Sequence, residues 1–129
     1  MKKDISNREE IVLLVNSLYD KVNIDKTIGH IFSDVANVNR ELHLPLMVNF
    51  LAGILLDEHS YSGNPMIKHI ELNKRYPLTE KHFQVWLQLF HQTVDELFWG
   101  IKADEVKARA AYIAQLMQHK IKTSERKSL

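Results

Sequence analysis

The chain has 129 residues, no cysteine and a formal net charge of +1, from 17 basic and 16 acidic side chains. Hydrophobic residues make up 45% and charged residues 26%, which excludes bulk disorder and fits one globular domain at roughly 150 residues per domain. The lack of cysteine excludes disulfides, thiolate nucleophiles and Cys-based zinc or iron–sulfur centres, and fits a reducing, cytoplasmic setting.

No run of about 18 apolar residues occurs, so no membrane span is predicted. The start, Met1-Lys2-Lys3-Asp4, leads into no unbroken apolar stretch, so a secreted fate is not expected. The balanced charge argues against a nucleic-acid partner. Four Gly and three Pro are few breakers for this length, which favours helices over many short strands.

The first helix is signalled by Ser6 with Glu9 at capping-box spacing. Ile11, Leu14, Val15, Leu18 and Val22 follow at helical spacing, with Tyr19 at the edge of that face. A short apolar stretch holds Ile28, Ile31 and Phe32, and Gly29 limits its length.

A polar, turn-rich segment over 33–39 precedes a second helix, predicted to begin at 40–42 and end near Leu56. Pro45 fits only if it lies in the first turn. His43, Met47, Phe50 and Ile54 share a face, so a histidine opens an apolar stripe. After a loop over 57–63, Asn64-Pro65 opens a short helix with Met66, His69 and Ile70 on one face.

Thr79 is the expected cap of the longest helix, with Leu78 stapling onto Phe83. Phe83, Trp86, Leu87, Phe90, Val94, Leu97 and Phe98 keep the 3.6 period, and Gly100 is the expected stop. The last helix is predicted from about Ala103, with Val106, Ala110, Ile113, Met117 and Ile121 as its stripe. The expectation is an all-α domain over 1–122 followed by a polar C-terminal tail over 123–129.

No Gly-rich phosphate loop, HExxH pair, serine elbow or EF-hand loop is present. What remains is an apolar interior with four polar groups on separate helices: Tyr19, His43, His69 and Trp86. A lone histidine or tryptophan on such a face is more often plain core. Together they need partners, because each buried without one costs roughly 1–3 kcal/mol. Haem would serve them all: it takes a neutral imidazole on one side, an apolar slot for the ring, and donors on the other side. Zinc fits less well, because His43, His69, His82 and His91 lack its usual ligand spacing.

Several stretches together resemble the truncated haemoglobins, specifically the group III branch. They are Leu18-Tyr19; His43-Leu44-Pro45 with Met47 and Phe50; Tyr61-Ser62-Gly63-Asn64-Pro65 with His69 and Leu72; and His82-Phe83 with Trp86-Leu87 and Leu89-Phe90. The resemblance continues through 93–98 and 109–114 and spans about 11–117. It implies a shortened globin fold, a two-over-two helical sandwich around haem b. It also implies His69 as the proximal iron ligand, Tyr19 and Trp86 as distal donors, and His43 at the distal-histidine position as a gate. Arg40 and Leu51 stand where the family often has Trp.

Phe32, Met47, Phe50, Met66, Phe83 and Phe90 are the candidate lining of the ring, and Lys68, Lys74 and Arg75 candidate partners of its propionates. The leading expectation is reversible binding or transport of dioxygen, or binding of NO or CO, at the iron. The first alternative is redox turnover of nitric oxide or peroxide, with a reductase as electron donor. The second is a helical interaction module without haem.

Overall fold

A computed structural model describes residues 2–31, 40–56, 73 and 77–127. Four helices order the described chain: α1 (Arg8–Ile24), α2 (Arg40–Leu55), α3 (Glu80–Leu97) and α4 (Ile101–Lys127). The short helix expected after Pro65, with Met66 and His69, lies outside the described residues, as does Phe32.

The helices form two antiparallel pairs. Arg8 donates to Asn49 while Tyr19 meets His43, so α2 descends along α1. Phe83 packs with Met117 and Ile121, while His91 approaches the Lys107 carbonyl, so α4 descends along α3. α1 lies against α3 and α2 against α4, which stacks one pair on the other. This is an all-α, two-over-two helical sandwich, as the resemblance implies.

Ile11, Leu14, Val15, Leu18 and Val22 of α1 are fully buried, as their spacing predicts. They join Leu44, Val48, Leu51, Ala52 and Leu55 of α2, Phe90 and Val94 of α3, and Val106 and Ala110 of α4 in one core. A second, smaller cluster of Phe83, Ala114, Met117 and Ile121 closes the other end of the α3–α4 pair, with Leu78 packed on it. Leu78, the expected staple of Phe83, thus packs on the cluster to which Phe83 belongs.

Local chemistry shifts several boundaries. Asn7, not Ser6, caps α1: its side chain accepts from the Glu10 N–H at 2.9 Å. Ser6 instead donates its N–H and its hydroxyl to the Glu10 carboxylate. The capping motif is therefore displaced by one residue. Pro45 lies in the second turn of α2, deeper than the first-turn placement expected. The fully buried face of α2 runs through Leu44, Val48, Leu51 and Leu55, and the His43, Met47, Phe50 and Ile54 stripe is half-buried beside it.

The longest helix is α4, with 27 residues against 18 in α3. No Gly or Pro interrupts the chain after Gly100, so the helix continues to Lys127, into the segment expected as a tail. Its start at Ile101 precedes the expected Ala103 because of a distant cap. The Asp4 carboxylate accepts from the N–H groups of Lys102 and Ala103, each at 2.9 Å.

Gly100 is required for that contact. It holds φ +148°, and a Cβ there would stand 2.5 Å from the Asp4 Cγ. Its role is close approach rather than the helix stop expected, which falls to extended Phe98. The same N-terminal segment pairs Lys3 with Phe98, and the Trp99 N–H donates to the Lys3 carbonyl.

Candidate distal pocket

Three of the polar groups singled out in the sequence converge. Tyr19 lies in the buried face of α1 and is 4% exposed. His43 lies near the start of α2, and its Nε2 is 2.9 Å from the Tyr19 phenol oxygen. The rings meet edge-on, with centroids 5.3 Å apart at 78°. From α3, the Trp86 indole N–H donates to the same oxygen. Trp86 is fixed in turn by stacking on fully buried Phe90, with centroids 5.2 Å apart and planes 16° from parallel.

This arrangement governs the phenol's chemistry. Burial pushes its acidity far below that of a free tyrosine, and the Trp86 donor opposes this only in part. Tyr19 is therefore a neutral O–H at physiological pH. Because Trp86 can only donate, it occupies a lone pair, and the phenol still donates through its own proton. With the His43 Nε2 as acceptor, that proton points at His43. With Nε2 protonated, it is released for another acceptor.

Among the described residues, apolar side chains continue from this trio along α2 and α3. Met47 and Phe50 follow His43 along the half-buried stripe of α2, and with Trp86 they pack against the main core. Phe90 is wholly inside that core, and Phe83 belongs to the smaller cluster with Met117. Phe32, Met66 and His69, with Lys68, Lys74 and Arg75, lie outside the described residues. Asn73, four residues after His69, is buried and its Oδ1 accepts from the Leu78 N–H at 2.7 Å. That bond ties Asn73 to the entrance of α3.

Two contacts were missed from sequence. One is the Asp4 cap of α4, whose partners are 98 and 99 residues away and leave no local signal. The other is His82, whose Nδ1 accepts from the Thr79 N–H; the Thr79-to-His82 spacing carried that signal, with His in the place of the usual Glu or Gln. A surface cleft of about 620 Å³ is lined by Arg8, Ile54 and Lys102 among others, at the opposite end of the α1–α2 pair from Tyr19.

The bacterial-like globin family model matches residues 3–122. A group 3 truncated haemoglobin of Campylobacter jejuni is 33% identical over 122 residues, covering 92% of this chain and 94% of that protein. The crystal structure of group III truncated haemoglobin from Campylobacter jejuni superimposes with a TM-score of 0.82 at 31% identity, covering 94% of this chain and 95% of that one. The chain belongs to the group III truncated haemoglobins.

As a truncated haemoglobin it is a haem protein that binds a diatomic ligand. The described residues suit that group: an apolar stripe from α2, and a neutral phenol whose oxygen accepts from the Trp86 N–H. Among the described residues, no helix of this truncated haemoglobin is long and apolar enough to cross a membrane.

Proposed function

We propose that the protein binds haem b through His69 and holds a diatomic ligand with Tyr19 and Trp86 as distal donors. The observation that carries this reading is the Tyr19 oxygen held between the Trp86 N–H and the His43 Nε2 at 2.9 Å. A neutral phenol anchored by the Trp86 N–H is itself a hydrogen-bond donor.

Haem, when bound, supplies the iron at which O2, NO or CO binds. Met47 and Phe50 from α2 and Phe83 and Phe90 from α3, joined by Phe32 and Met66, exclude water from its edge. Lys68, Lys74 and Arg75 are suited to its propionates. Tyr19 directs its O–H towards negative charge that develops on the ligand, while Trp86 fixes the phenol's position. His43 holds that proton when no other acceptor is present, and its place near the start of α2 suits it to gate entry. A reductase would be needed only to return oxidised iron to the ferrous form.

The test is haem reconstitution followed by dioxygen release in the native protein and in Tyr19→Phe. Loss of one hydrogen bond to a charged acceptor should speed release roughly ten- to a hundred-fold. Equal release rates would remove Tyr19 from the role.

A further inference from the structure

The cap of α3 uses an imidazole where most capping boxes use the carboxylate of Glu or the amide of Gln. The His82 N–H donates to the Thr79 Oγ1 at 3.4 Å, and the His82 Nδ1 accepts from the Thr79 N–H at 3.0 Å. The box is closed only while Nδ1 is unprotonated, because an imidazolium nitrogen has no lone pair to offer. The Phe83 N–H completes the same turn by donating to the Thr79 carbonyl at 3.3 Å. Trp86 lies four residues beyond His82, one turn along the helix.

We propose that His82 is a pH-sensitive positioning residue for the distal pocket: its neutral ring closes the first turn of α3 and so steadies Phe83 and Trp86, and its protonation opens that turn. The inference rests on the reading of Trp86 as a distal donor.

The surroundings favour the neutral ring. Burial, His30 from the segment after α1, and Lys81 on the same helix all hold the imidazole below its ordinary value of 6.5. The positive end of the α3 dipole acts in the same direction. On its own helix, the Glu80 carboxylate accepts from Gln84. On α4, the groups packed around neighbouring Phe83 are apolar: Ala114, Met117 and Ile121. Lys74 and Arg75, upstream in the chain, lie outside the described residues.

The sign follows from the lowered value. The folded protein favours neutral His82, so the cap contributes fully above pH 6.5 and is lost as the pH falls through the lower folded value.

Hydrogen exchange at the backbone N–H of His82 and Phe83 and at the Trp86 indole N–H, corrected for intrinsic rates, tests this between pH 7.5 and 5. In the native protein, protection at all three should fall about five-fold, the equilibrium equivalent of losing a helix cap. His82→Gln keeps an acceptor at every pH, and its protection should stay level. His43 is present in both proteins, so the difference between them isolates His82.

Coincident pH profiles in the two proteins would overturn the proposal. So would a drop confined to the backbone sites with the Trp86 indole unmoved, which would leave the cap without a link to the pocket. Failure of the haem reading would show instead as a missing Soret band, and leaves these exchange rates readable.

Discussion

The phenol oxygen of Tyr19 and the Nε2 of His43 lie 2.9 Å apart, joining the buried face of α1 to the half-buried stripe of α2. The same oxygen accepts from Trp86, so one side chain ties three helices together. Tyr19→Phe removes the partner of two ring N–H or N groups at once. Unfolding free energy should fall by roughly 1–3 kcal/mol, the cost of stranded buried polar groups. Urea denaturation of the protein without haem measures this separately from ligand release.

Phe90 should carry more stability than any polar group in the pocket. It is fully buried in the main core and is the surface on which Trp86 stacks. Phe90→Ala should cost about 3–5 kcal/mol through lost burial and the cavity left behind. Phe90→Leu should cost less in stability yet still loosen Trp86. Denaturation midpoints give the first quantity and the Trp86 indole exchange rate gives the second.

The Asp4 cap predicts an acid-sensitive component of stability. Burial by itself would raise the Asp4 carboxyl, but the N–H groups of Lys102, Ala103 and Ile5 outweigh it and hold the group below its usual 3.8. A lowered folded value means stability that is present above 3.8 and is lost as the pH falls through the folded value. Asp4→Ala should therefore be less stable than the native protein at neutral pH, by about 1 kcal/mol for a lost N-cap. The gap should close in strong acid. Urea midpoints at pH 7 and at successively lower pH check both statements.

Gly100 supplies a companion prediction. Alanine there would place a Cβ 2.5 Å from the Asp4 Cγ on a backbone with φ +148°. Gly100→Ala should cost roughly 1–3 kcal/mol from backbone strain, and more where Asp4 is displaced from its cap. The double variant with Asp4→Ala should lose less than the sum of the single changes, because they share one contact. Thermal melts of the four proteins complete the cycle.

Much of this architecture is legible in the chain because amphipathic spacing and burial are local in origin. The Ile11-to-Val22 face, the Thr79 cap and the Val106-to-Ile121 stripe follow from neighbours a turn away. Tyr19, His43 and Trp86 were legible as candidates because each is a polar group on an apolar face, and their convergence follows from the family pattern. The Asp4 cap was not legible, since nothing near Asp4 in sequence marks a helix end 98 residues away. The shift from Ser6 to Asn7 was decided by competition between adjacent side chains for Glu10. Spacing rules do not rank such competitors.

The central claim is that His69 holds haem opposite the Tyr19 phenol, and absorption spectra test it most directly. Haem would be added to the native protein and to His69→Ala, and ferric, ferrous and carbon-monoxide forms recorded. The native protein should show a strong Soret band that shifts with carbon monoxide, and His69→Ala should lose stable haem binding. A native protein without a Soret band, or a His69→Ala protein with native spectra in all three forms, would contradict the account.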